Sequence, residues 1–136
     1  MTRGRWVYVG GSAGHKPPER EKRAISQACE AFIENVLRPR FLPEIRPTRF
    51  NYPIDIFGKW HGGNYRFLQR FRNDHPENAR APEFDSPFAR LEYVSPDRFD
   101  LSYFRHTGRW WTVYRGVSLA EALSRLETEG VFHPVV

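Results

Sequence analysis

One cysteine, Cys29, stands in the whole chain, so no internal disulfide can form and nothing points to an oxidising compartment. No stretch approaches the roughly 20 consecutive apolar residues of a membrane helix. Met1 to Gly10 hold no apolar run of signal-peptide length. A cytoplasmic protein with no membrane contact is therefore expected. Metal-ligand spacing is missing too. His15, His61, His75, His106 and His133 are scattered, and the nearest cluster is Asp74, His75 and Glu77. Structural zinc sites place cysteine or histidine pairs at short intervals, so neither a metal nor a cofactor is expected.

Lysine is scarce as well: 3 residues against 18 arginines, in a chain of 136 residues with net charge +5. Arginine forks onto carboxylates and phosphates and stacks on flat rings, which lysine does not. The charge is uneven. Residues 1–72 carry 14 basic and 6 acidic side chains, and residues 73–136 carry 7 and 10. GC-rich coding raises arginine for reasons unrelated to function, so composition makes an acidic partner plausible without identifying one. The length suits a single domain with its own core.

Along the chain, residues 1–17 read as a flexible basic arm, because Gly10, Gly11, Gly14, Pro17 and Pro18 argue against packed structure. Ile25, Cys29, Phe32, Ile33, Val36 and Leu37 recur at helical spacing. They predict a helix over 19–37, opened by Pro18 and stopped by Pro39. From Phe50 to Ile56 the period becomes two, which predicts a strand that Pro53 confines to an edge or a bulge. Gly62-Gly63-Asn64 makes a hairpin turn into a strand with Tyr65, Phe67 and Phe71 on one side. Arg66, Leu68, Arg70 and Arg72 fall on the other side. Residues 73–87 read as a long polar loop.

Phe88–Val94, Phe99–Arg105 and Trp110–Arg115 read as a three-strand meander, with turns at Ser95–Arg98 and Thr107-Gly108. Ser118 and Glu121 match a capping box that opens a short second helix ending near Gly130. Val131–Val136 closes the chain as a strand or a tucked tail. The fold class is therefore α+β: a mainly antiparallel sheet of about five strands, with an N-terminal helix and a short C-terminal helix on one face. The domain spans 18–136.

Leu91-Glu-Tyr-Val, Leu101-Ser-Tyr-Phe-Arg-His-Thr-Gly-Arg-Trp-Trp-Thr-Val-Tyr and Ser118-Leu-Ala-Glu-Ala-Leu resemble small uncharacterised bacterial proteins of a domain-of-unknown-function family. In those proteins a tryptophan-rich hairpin precedes a serine-capped helix. Pro43-Glu-Ile-Arg-Pro, after the first helix, is also similar. The resemblance implies a small α+β domain and supplies no activity.

Gly10-Gly-Ser-Ala-Gly-His-Lys16 has the right context for a phosphate loop but the wrong spacing, and Pro17 and Pro18 remove amide donors. Cys29 falls on an apolar stripe, where cysteine is ordinarily a small core residue. Ser12 lacks the strand and elbow of a hydrolase serine. Asp55 has no visible acid–base partner. What remains is the sheet's outward face. Strict alternation puts Leu91, Tyr93, Leu101, Tyr103, Trp111 and Val113 inward. Arg66, Arg70, Arg72, Arg90, Phe104, Trp110 and Tyr114 then share the open side. That set suits a protein-interaction or self-association surface, a homodimer included. Weakly sequence-specific nucleic-acid binding through the same face and the basic arm is the alternative. The Arg-Gly-aromatic core of RNA-recognition motifs is missing. The reading is a binding module rather than an enzyme, with an enzymatic site hidden from spacing left open.

Overall fold

Residues 15–78 and 82–135 are described in a computed structural model. Helix α1, Glu19–Phe32, opens after Pro18 with Glu19 and Glu21 in its first turn, where carboxylates favour the positive helix end. It buries Ile25, Cys29 and Phe32. The helix does not stop before Pro39. It widens into a π-helical segment, Ile33–Leu37, and resumes as α2, Arg38–Phe41. There the Arg38 N–H donates to the Ile33 carbonyl, five residues back. Pro39 then sits in the opening turn of α2, where its missing N–H is tolerated. The expected stop at 37 is thus corrected to 41.

Five antiparallel strands follow: β1 Tyr52–His61, β2 Asn64–Arg72, β3 Glu83–Ser95, β4 Arg98–Phe104 and β5 Trp110–Val117. They lie in the order β1-β2-β3-β4-β5, an uncrossed meander. Helix α3, Leu119–Thr128, begins at Ser118, whose hydroxyl accepts the Glu121 N–H. Ile25, Cys29, Phe32, Ile33 and Leu37 pack with Ala122 and Leu126 of α3 on Ile56, Tyr65, Phe67, Leu91, Tyr93, Phe99 and Leu101. Burying each large apolar side chain stabilises the fold by about 1.5–3 kcal/mol. The tail is tucked on this same face. Phe132 is fully buried, and the Gln69 amide donates to Val135 O at 2.6 Å and accepts its N–H at 3.0 Å.

Both sheet edges are irregular. The β1–β2 register shifts between Pro53 and Asp55, so Pro53 lies on an edge strand and at a bulge together. On β5 the register shifts twice, between Phe99 and Leu101 and between Leu101 and Ser102. Bulged edges resist the addition of another strand.

Three further expectations change. β1 runs on to His61 instead of ending near Ile56, and it leaves out Phe50, which is exposed. β3 begins at Glu83, inside the segment expected as a loop. It does so because Glu83 and Asp85 lie directly opposite Arg72 and Arg70, and Pro87 falls beside a register shift where its missing N–H is tolerated. Finally, Leu101 opposes Tyr114 while Ser102 opposes Thr112, so Val113 is an extra residue. A one-residue bulge reverses alternation beyond it. Tyr114 therefore turns to the helix side, and Trp111 and Val113 are exposed rather than buried. The glycine loop at 10–14 lies outside the described residues.

Candidate binding face of the sheet

Alternation along β2 sends Tyr65, Phe67 and Gln69 into the buried side and Arg66, Leu68, Arg70 and Arg72 to the opposite side. Cross-strand register extends that second side across the sheet. Asp55, Phe57 and Lys59 join it from β1, and Arg90 and Glu92 from β3. Asp100, Ser102 and Phe104 come from β4, with Trp110 and Thr112 from β5. Helices α1 and α3 pack on the other side.

Two arrangements of arginine divide the face. At one end Arg70 forks onto Asp85 at 2.8 and 3.3 Å, and its guanidinium also stacks on Phe57, 4.8 Å from the ring centre. Beside it Arg72 donates twice to one Glu83 oxygen, at 3.1 and 2.7 Å. Hydrogen bonds to these carboxylates raise the pKa of both arginines above the ordinary value. The Tyr52 hydroxyl donates to Asp74 close by.

The centre differs. Arg66 and Arg90 stand directly opposite one another on β2 and β3. Both guanidiniums stack on the Trp110 indole, at 5.5 and 4.6 Å from its centroid, and Phe104 meets the same ring edge-on at 5.0 Å. Among the described residues Arg90 meets one carboxylate, Glu92, at 3.5 Å, and both side chains are mostly buried. Neither Arg66 Nε–H nor Arg90 Nε–H has a hydrogen-bond acceptor among the described residues. Burial lowers the Arg90 pKa; Glu92 works against that shift, and the neighbouring Arg66 charge adds to it. A row of directly paired residues crosses the sheet here: Lys59, Arg66, Arg90, Ser102 and Thr112. Its last two members share a hydroxyl–hydroxyl hydrogen bond of 3.0 Å, and Ser102 is fully buried.

Of the residues expected on this face, Arg66, Arg90, Phe104 and Trp110 come together, and Arg70 and Arg72 lie on it as carboxylate pairs. Tyr114 does not. Its ring packs near Phe132 under the sheet, its hydroxyl donates to Glu129, and Arg125 stacks on it at 4.9 Å. Ser102 and Thr112 lie outward as two-residue alternation along β4 and β5 predicts. Lys59 and Phe57 escape the reading, and carrying the two-residue period of β1 past Ile56 finds both. In the basic arm, Arg3 and Arg5 lie outside the described residues, whereas Lys16 is exposed. Arg20 and Arg23 are exposed on α1, and Lys22 of the same helix lies over Trp60 at 5.4 Å.

A cleft of about 600 Å³ lies at the β1 edge of the face, lined by Glu30, Glu34, Arg38 and Phe57 among others. Arg38 is already held there by Glu34, Asp55 and the Ile56 carbonyl. His75 is tied into its own turn, where its ring nitrogen accepts the Glu77 N–H. No group of three histidine, cysteine, aspartate or glutamate side chains suited to a metal exists among the described residues. Cys29 is fully buried, and desolvation pushes its thiol well above the ordinary range. No helix among the described residues is long and apolar enough to cross a membrane.

Residues 17–134 match the family described as Domain of unknown function (DUF3024). The chain belongs to that family. No curated protein and no solved structure matches it. The DUF3024 match takes in α1, all five strands and α3, so the open face is part of the shared domain.

Proposed function

We propose that this DUF3024 domain is a binding module whose open sheet face docks a second copy of the chain. The observation that carries this reading is the alternation of charge across the face. Arg70 with Asp85, Arg72 with Glu83, Arg90 with Glu92 and Arg115 with Asp100 set cation beside carboxylate. A surface that sets both signs side by side can meet a copy of itself rotated about a two-fold axis, cation to carboxylate, as an isologous dimer requires. Phe57, Leu68, Phe104 and Trp110 supply half-buried apolar area between the charges. The bulged edges favour contact through the face over strand addition.

A polyanion is the poorer fit, because most of the arginines already answer a carboxylate. Phosphate neutralisation by arginine and lysine drives non-specific nucleic-acid binding. The buried single cysteine suits a cytoplasmic setting.

Light scattering across a concentration series, with single-stranded and duplex oligonucleotides titrated in parallel over a salt series, tests the reading. Reversible dimerisation with no oligonucleotide binding at low salt is expected. A monomer that binds oligonucleotides with an affinity falling steeply in salt would establish the nucleic-acid alternative instead.

A further inference from the structure

We propose that the Arg66–Arg90 pair at the centre of the open face is an oxyanion-binding site, anchored on Trp110 and rimmed by Lys59. Three cations stand side by side on β1, β2 and β3, at positions paired directly across the strands. Like charges placed opposite one another on neighbouring strands repel. Arg70 and Arg72 are relieved by carboxylates at hydrogen-bond distance; Arg66 has none among the described residues, and Arg90 has Glu92 only at 3.5 Å. Each of the two also keeps a buried Nε–H with no acceptor. Their orientation is held all the same, because both guanidiniums stack on one indole.

An ion carrying two or more oxygens on one centre would meet both needs. Its charge offsets the cation row, and its lone pairs accept the two orphaned donors. Guanidinium forks match carboxylate and phosphate geometry. The Ser102–Thr112 hydroxyl pair continues the row and carries no charge to offset it. Burial lowers the Arg90 pKa, and the Arg66 charge beside it lowers it further against the pull of Glu92. The chemistry is that of a phosphate or a carboxylate. Two sources supply it: free phosphate, or a carboxylate of the second copy, the latter resting on the dimer reading above.

The Arg Nε–H resonances in nitrogen-15 NMR of the full chain report on the site directly. Phosphate is exchanged for chloride at constant ionic strength. The Arg66 and Arg90 signals should move together on one saturating curve, while those of Arg70 and Arg72 stay in place. Arg66→Gln should weaken the phosphate affinity tenfold or more. If the second copy is the source, the same two signals should move on dilution without phosphate, in step with the mass from light scattering. Saturable phosphate binding by a chain that is monomeric throughout would keep the site and remove the dimer. Equal, non-saturating shifts at all four arginines, or no movement in either series, would overturn the proposal, and both are read on the wild-type chain.

Discussion

Asp97 holds a backbone φ of 52° in the β3–β4 turn, a region that asparagine and aspartate enter more readily than most residues. Its side chain also accepts the Leu119 N–H at 2.9 Å, tying that turn to the start of α3. Asp97→Ala should therefore cost about 1–2 kcal/mol in denaturant unfolding, whereas Asp97→Asn should cost much less. Gly58 is constrained by packing instead. A Cβ there would fall 1.9 Å from the Tyr65 hydroxyl oxygen, so Gly58→Ala should destabilise by about 1–3 kcal/mol. The same tyrosine makes an opposite prediction. Its hydroxyl is buried with no partner among the described residues, so Tyr65→Phe should leave stability unchanged or raise it by up to about 1 kcal/mol. A midpoint falling clearly below wild type would show that the hydroxyl has a partner after all. None of these constraints was legible in the residues alone, because each depends on a neighbour distant in sequence.

At the scale of elements, tyrosine–carboxylate hydrogen bonds link pieces of the fold. Tyr93 of β3 donates to Glu21 of α1, and Tyr114 of β5 donates to Glu129 beyond α3. The Tyr114 pKa is raised above 10.0 chiefly by that hydrogen bond, and the Tyr93 pKa chiefly by desolvation. A group whose folded pKa exceeds its unfolded one stabilises the fold fully below the unfolded value, and that contribution is lost as pH rises through the folded value. The contribution of these two tyrosines should thus be level from neutral pH to about pH 9 and decline above about pH 10, where an unperturbed tyrosine titrates. Tyr93→Phe and Tyr114→Phe should each flatten the decline in a pH series of urea melts. The strands themselves were readable from their two-residue period, and α3 from its Ser118–Glu121 box. What escaped was irregularity: the π turn that carries the helix past Pro39, the Pro87 bulge inside β3, and the extra Val113. Each is set by pairing with another element, and a period read along one segment carries no information about its partner's register.

For the whole molecule, a meander with both helices on one side leaves the other side of the sheet to its own side chains. That asymmetry followed from counting two helices against five strands, and four of the seven expected face residues meet around Trp110. The neutralising carboxylates are not legible in the sequence, since Glu83 and Asp85 stand among prolines that read as a loop; their position turns one end of the positive strip into a lattice of paired charges and leaves its centre cationic. The arginines of that lattice should contribute little to stability individually, because exposed ion pairs are worth about 0–1 kcal/mol. Arg70→Ala and Arg72→Ala should accordingly fold with melting midpoints near wild type, read by circular dichroism. Leu68 is the sharper probe of function, being apolar, half-buried and central on the open side. The decisive measurement is light scattering on wild type and Leu68→Glu over the same concentrations. The account predicts wild type at twice the 16.1 kDa chain mass and the folded variant at one chain mass. Wild type at a single chain mass throughout, or a dimer that Leu68→Glu leaves intact, would contradict it.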